Sequence, residues 1–226
     1  MSLSVVLPVF NEEGNIETVI NSVAAFLPSL TDDAQIIAVD DGSRDSTGVI
    51  LDRLASRLAY LKIVRHQKNY GYGAALRSGF KAAGKEFILL MDADRQFEIS
   101  EIRQLWPFAK EYDIVAGFRE KRRDAFPRIV LGRVFNGLMN LFFGLRIKDI
   151  DCGFKLFKAG FIKKLRLSST GIAIHTEIFL KARKAGARIK EVGVRHSPRI
   201  WGRQKTVKIS VISRVLVEII NLGKKR

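Results

Sequence analysis

Two aspartates, Asp92 and Asp94, close the apolar run FILLM at 87–91, and Gln96 follows two positions later. Carboxylate and amide oxygens at that spacing suit a hard divalent cation, magnesium or manganese, bridging a nucleotide diphosphate. The pair alone is a weak signal. The chain holds 12 Asp, so composition gives about 0.6 such pairs by chance, and a second copy stands at Asp149 and Asp151. Placement is what favours the first copy, since it ends an apolar run as three other polar clusters do. The competing reading is a capping pair ahead of a helix starting near Glu98.

Those other clusters carry their own chemistry. Asp40 and Asp41 end QIIAV and could accept hydrogen bonds from a nucleobase or ribose, or simply cap the following helix. Gly71-Tyr72-Gly73, with Asp92 lying 21 residues after Gly71, imitates a dinucleotide-binding fingerprint. The imitation fails at Leu76, where close helix packing needs glycine, so nicotinamide binding is set aside. The two glycines could still bring backbone close to a ligand. His66, His175 and His196 are widely spaced, show no metal-ligand pattern, and read as structural or surface residues. No P-loop, nucleophile elbow or HExxH motif occurs. Arg119, Arg128, Arg133, Arg199, Arg203 and Lys205 are placed to meet phosphates. Arg195, Arg199, Arg203 and Lys205 fall within the eleven residues RHSPRIWGRQK, interleaved with Pro198, Trp201 and Gly202. Such a loop could fold over an anion or stack on a base.

These residues need a scaffold, and the chain spells one out. Apolar runs at 3–9, 35–39, 61–64, 87–91 and 113–117 alternate with helix-length segments, the first marked by Val19, Ile20, Val23 and Phe26. Near-continuous apolar strands separated by helices predict an α/β fold, a mostly parallel sheet covered on both faces. Ligands bind such sheets outside the carboxyl ends of the strands. NEE, DDGS, NYGYG and DAD all follow strand ends and should face one crevice. The second half is less regular. Residues 128–146 form an apolar stretch charged only at Arg128, Arg133 and Arg146, and 205–222 place Val207, Val211, Val215 and Ile219 on one helical face. Neither stretch contains the ~20 uninterrupted apolar residues of a membrane span. Both fit ordinary core-facing helices or amphipathic helices in a bilayer interface.

Charge is segregated. Residues 1–100 carry 10 Lys+Arg and 13 Asp+Glu, whereas 101–226 carry 29 and 10. A solvated basic surface explains an excess but not its segregation, which points to a polyanionic partner for the second half. The 226 residues, 47% hydrophobic, suit one domain and exclude collagen, coiled coil and wholesale disorder. A lone Cys152 makes a reducing compartment the default, and the first residues lack the basic start of a signal peptide.

Taken in order, the motifs resemble those of the family 2 glycosyltransferases with a GT-A fold, of the polyprenyl-phosphate type that includes dolichyl-phosphate mannose and glucose transferases. The matching blocks are SVVLPVFNEEGNI at 4–16, AVDDGSRDST at 38–47, NYGYGAALRSGF at 69–80, MDADRQF at 91–97, AGFR at 116–119, DIDCGFKLF at 149–157 and HSPRIWGRQK at 196–205. The resemblance implies a single catalytic domain over 1–226, with a nucleotide-sugar half at 1–118 and a basic, acceptor-binding, membrane-facing half at 119–226. It places Pro8, Phe10, Asn11, Glu13, Asp41, Gly71 and Asp92 around the nucleotide. Asp92, Asp94 and Gln96 take the metal, and Asp94, Arg119 and Lys205 serve catalysis. Arg128, Arg133, Arg199 and Arg203 are assigned to the acceptor phosphate. Two departures stand out: GRQK replaces the GxSK of many relatives, and many relatives continue into transmembrane helices where this sequence stops at Arg226.

The implied reaction moves a hexose from a GDP- or UDP-linked sugar to a polyprenyl phosphate, with inversion and with Mn2+ or Mg2+ as cofactor. The protein would lie peripherally on the cytoplasmic face of the membrane, directly or through a membrane partner protein. An acceptor phosphate is already ionised, so no strong base is needed. A hydroxyl acceptor, the alternative within the fold, would need one, with Asp151 and Glu177 as candidates. A basic nucleic-acid-binding domain is the non-enzymatic alternative, and nucleic acid is not the expected partner because no recognised module accompanies the charge.

Overall fold

The computed structural model describes residues 1–121, 126–199 and 201, with backbone alone at 126–128. In chain order the elements are β1 (Leu3–Val9), α1 (Ile16–Phe26), β2 (Ala34–Asp40), α2 (Thr47–Ala55), β3 (Leu61–Arg65), α3 (Tyr72–Ala82) and β4 (Phe87–Met91). There follow α4 (Ile102–Leu105), β5 (Ile114–Arg119), α5 (Phe126–Phe143), β6 (Phe154–Lys158), α6 (Ala159–Ile162), α7 (Ile174–Lys184) and β7 (Ile189–Val194).

The strands form one seven-stranded sheet in the order β3-β2-β1-β4-β6-β5-β7. Apolar side chains on both faces of β1 explain its unbroken run: Leu3, Val5 and Leu7 pack in the layer with α1, and Val6 packs in the layer with α3. Helix α1 buries Ile16, Val19, Ile20 and Val23, the i, i+3, i+4, i+7 stripe of a core-facing helix. Helices therefore cover both faces, and the architecture is the GT-A fold expected from the motifs.

The five strands read from the sequence are present to within two residues at each end, and 128–146 contains most of α5. Two strands were not foreseen. β6, FKLFK, runs antiparallel between β4 and β5, and β7 pairs parallel with β5. Their lysines broke the apolar pattern, and one of them, Lys155, is wholly buried. The reversal at β6 has a geometric consequence. Met91 pairs with Phe154, so residues 149–153 lie beside the carboxyl end of β4, where Asp92 and Asp94 begin. Arg119 at the end of β5 and the segment leaving β7 reach the same edge. Among the described residues no helix is long and apolar enough to cross a membrane. The C-terminal stretch at 205–222 lies outside the described residues.

Candidate active site

At this carboxyl edge a cavity of about 270 Å3 is lined by Pro8, Phe10, Glu12, Asp41, Asn69, Tyr72, Asp92, Asp94 and Arg199. All four polar clusters contribute to it, as parallel strand ends require. A larger hollow, about 770 Å3, opens beside Tyr112, Arg146 and Ile189 at the opposite edge and contains none of the candidate residues.

Asp41 forms one end of the cavity. Its Oδ1 accepts from His66 Nδ1 at 2.6 Å and from the Tyr70 amide at 2.9 Å, and its Oδ2 accepts from the Gly71 amide at 2.8 Å. Gly71 has φ +100°, and a Cβ there would stand 2.5 Å from the Thr170 carbonyl oxygen, so only glycine suits the turn. The GYG glycines bring backbone against residues 169–170, since the Gly73 amide donates to Thr170 at 2.7 Å.

Asp92 and Asp94 form the other end. Asp92 is partly buried and accepts from the Tyr72 hydroxyl at 2.8 Å. Burial, followed by the nearby Asp94 charge, lifts its pKa to about 7, while Tyr72, Lys155 and Arg119 pull the other way. Burial likewise raises Tyr72 and keeps its hydroxyl a donor. The Gln96 amide is buried, and its side chain donates to the Ser197 carbonyl at 3.4 Å.

The segment following β7 straps across this end. The Ser197 amide donates to the Gln96 carbonyl at 2.9 Å, and the His196 ring stacks edge-on against Phe97. The Arg199 guanidinium lies between two carboxylates, paired with Glu12 and 3.3 Å from Asp94. Trp201 lies against Gly14. Burial raises the Glu12 pKa against the opposing effects of Asn15 and Arg199.

Beneath the acidic end, Arg119 forms a two-pronged pair with Asp149, both contacts at 2.7 Å. The second Asp-x-Asp copy thus has work of its own, anchoring an arginine. Lys155 donates to the carbonyls of Ile150 and Cys152 and lies 3.4 Å from His175 Nδ1. Burial lowers the pKa of Lys155, and burial with the Lys155 and Arg119 charges depresses His175 well below its ordinary value. Burial pushes the Cys152 thiol up to about 12, so it is inert as a nucleophile.

The remaining candidates are dispersed. Asn11 and Glu13 latch the first loop to the second: Asn11 Oδ1 accepts from the Arg44 amide at 2.8 Å and Glu13 accepts from the Ser46 amide at 2.9 Å. Arg133 is exposed on α5. The side chain of Arg128, together with Arg203 and Lys205, lies outside the described residues. Glu177 is committed elsewhere, accepting from the amides of Ser168 and Ser169 and from Lys181. Sequence reasoning missed Glu12, Asn69 and Tyr72. All three had the same signal, membership of the NEE and NYGYG clusters that follow strand ends.

Whether these residues suit a divalent cation can be tested on the structure itself. Among the described residues no three His, Cys, Asp or Glu side chains form a ready-made cage. Yet the donors are hard oxygens, two carboxylates converge at a strand end, and a guanidinium cation is already drawn between Glu12 and Asp94. That fits a magnesium- or manganese-type ion completed by substrate phosphates and water rather than by protein alone.

The glycosyl transferase family 2 model matches residues 4–166. The chain is 32% identical over 230 aligned positions to the dodecaprenyl-phosphate galacturonate synthase of Rhizobium johnstonii, covering 98% of this chain and 66% of that protein. It is 31% identical over 208 positions to the undecaprenyl-phosphate 4-deoxy-4-formamido-L-arabinose transferase of Aeromonas hydrophila, covering 90% and 62%. The chain thus spans less than two thirds of the length of these relatives. Among solved structures, mannosyl-3-phosphoglycerate synthase from Rubrobacter xylanophilus superposes with a TM-score of 0.77 at 18% identity, covering 100% of this chain and 76% of that one. Glucosyl-3-phosphoglycerate synthase from Mycobacterium tuberculosis, in complex with Mn2+, UDP and phosphoglyceric acid, gives 0.73 at 20%, covering 97% and 78%. At such identity the likeness carries the fold alone. The family match extends over most of the chain and through the four strand-end loops that line the cavity, and on that ground the chain belongs to glycosyl transferase family 2.

Proposed function

We propose that the protein transfers a sugar from a nucleotide sugar to a polyprenyl phosphate at a membrane surface, with inversion at the anomeric carbon and with magnesium or manganese as cofactor. The observation that carries this reading is one cavity with a lone buried carboxylate, Asp41, at one end and a cation-holding carboxylate pair at the other. A nucleotide diphosphate has that polarity: a base with hydrogen-bond donors, then a polyanion. The named relatives act on polyprenyl phosphates, and one neighbour of the same fold was solved with Mn2+ and UDP.

Asp92, Asp94 and Gln96 would hold the metal, which when bound neutralises the diphosphate as charge grows on the leaving group. Asp41 receives the base, and Pro8, Phe10 and the Gly71 turn shape its surroundings. Arg199 can exchange its carboxylate partners for phosphate oxygens once the diphosphate arrives. Arg119 holds the floor of the acidic end through Asp149, and Arg203 and Lys205 keep the acceptor-phosphate and catalytic roles that the family motif implies. An acceptor phosphate is ionised at neutral pH, so displacement proceeds without a general base. This agrees with the occupied Glu177, the enclosed neutral His175 and the inert Cys152. Arg128 and Arg133 belong to α5, where Val134, Leu141 and Phe142 are exposed. Exposed apolar side chains on the helix that also exposes Arg133 suit a peripheral seat on a lipid surface bearing phosphates, and we assign the cytoplasmic face, with or without a membrane partner protein.

The test is transfer from a panel of GDP- and UDP-sugars to a short polyprenyl phosphate in the presence of manganese. Turnover with at least one donor is expected, cut about 100-fold or more by Asp94→Asn. No transfer from any donor, or an Asp94→Asn protein with undiminished metal-dependent turnover, overturns the assignment.

A further inference from the structure

The donor end of the cavity holds a hydrogen-bonded chain that the proposed chemistry does not use. His66 Nδ1 lies 2.6 Å from Asp41 Oδ1, and His66 Nε2 lies 2.8 Å from Ser78 Oγ. The order Asp-His-Ser resembles a hydrolase triad. However, Ser78 sits inside α3, where neighbouring amides are consumed by the helix and offer no oxyanion donors. A different role follows from counting acceptors on Asp41.

An ionised carboxylate offers about four acceptor positions, two on each oxygen. A carboxylate cannot donate, so the His66 nitrogen facing it carries the hydrogen. Oδ1 then accepts from His66 and the Tyr70 amide, and Oδ2 from the Gly71 amide. Oδ1 is full, and Oδ2 keeps one position. Asp41 is only 3% exposed, so water cannot make good a mismatch there cheaply.

Nucleobases differ in what they bring to one acceptor. Uracil presents a single ring N–H between two carbonyls. Guanine presents two adjacent N–H donors, which match a carboxylate only when both of its oxygens are open. Cytosine and adenine place a ring nitrogen acceptor beside their amine, and that lone pair would face the carboxylate. From this count we infer that His66, held by Ser78, fixes base specificity by filling Asp41 Oδ1, so that the donor is a uridine nucleotide and not a guanosine one. His66 and Ser78 are positioning residues that act through Asp41. The inference rests on the donor-site reading above and narrows it.

Binding of UDP, GDP and CDP to the full chain, each with manganese, tests it by calorimetry on the wild type, His66→Ala and Ser78→Ala. UDP is expected to bind at least about tenfold more tightly than GDP or CDP to the wild type. His66→Ala opens Oδ1 and should bring the UDP:GDP ratio to within about threefold, whereas a merely structural role would weaken both nucleotides together. Ser78→Ala removes one hydroxyl, should shift the ratio in the same direction by less, and keeps the test alive if His66→Ala does not fold. Wild-type GDP binding equal to or tighter than UDP overturns the inference and leaves the donor site standing, as does a ratio unchanged in both variants. Failure of all three nucleotides to bind the wild type removes the donor site itself and this inference with it.

Discussion

A methyl group on Gly153 would run into the Asp92 carboxylate, because the antiparallel register of β6 presses that backbone against the end of β4. Gly153→Ala must therefore shift Asp92, and misplacement of a ligand by about 1 Å costs on the order of 100-fold. Metal-dependent turnover should fall by about that factor while the protein remains folded, and near-wild-type turnover would show that Asp92 is not a working ligand. A second residue tests structure rather than chemistry. Burial alone would raise the Glu177 carboxyl, but the Lys181 ion pair and the Ser169 and Ser168 amides more than offset it and hold it below the ordinary value. A folded value below the unfolded one contributes stability above about pH 4.5, which is lost as pH falls through the folded value. Glu177→Gln should cost about 2 kcal/mol at pH 7, with the gap to wild type narrowing below about pH 4.5. Urea denaturation at pH 7 and pH 4 checks this; an equal gap at both would mean that the carboxylate charge contributes nothing.

Helix α5 is the element whose exposed side chains need an explanation, since Leu141 is 78% and Phe142 70% exposed. If that face meets lipid, Leu141→Glu with Phe142→Glu should reduce co-sedimentation with anionic vesicles by about tenfold. Nucleotide binding and melting temperature should be unchanged, because neither side chain is packed. Unaltered sedimentation would move the contact elsewhere. Elements also show what a sequence discloses. β1, β2, β4 and β5 were legible because buried strands are near-continuous apolar runs, whereas β3, with only Leu61 buried and Lys62 exposed, was legible by its place between two helix-length segments. β6 and β7 were not, since FKLFK hides a buried lysine whose partners, the Ile150 and Cys152 carbonyls, lie in an irregular loop. No periodicity records that satisfaction.

Across the whole molecule, the convergence of NEE, DDGS, NYGYG and DAD was legible because parallel topology alone delivers strand ends to one edge. The pairing of Arg199 with Glu12, or of Arg119 with Asp149, joins residues far apart in the chain and leaves no local mark. His66 was read as structural or surface for the same reason: its significance lies in partners at positions 41 and 78. The sheet order carries one more consequence, for synthesis. β4 is flanked by β1 and β6, and β5 by β6 and β7. A ribosome that has released residues 1–118 has therefore made β4 with one edge bare and β5 with no neighbour at all. An unpaired edge invites association with other chains. The fragment 1–118, although it contains Asp41, Asp92 and Asp94, should aggregate and bind no nucleotide. A soluble, monomeric, nucleotide-binding fragment would contradict that order of assembly. As a nascent chain, the protein closes its donor cavity only after residues 154–158 emerge and wedge between two strands made long before.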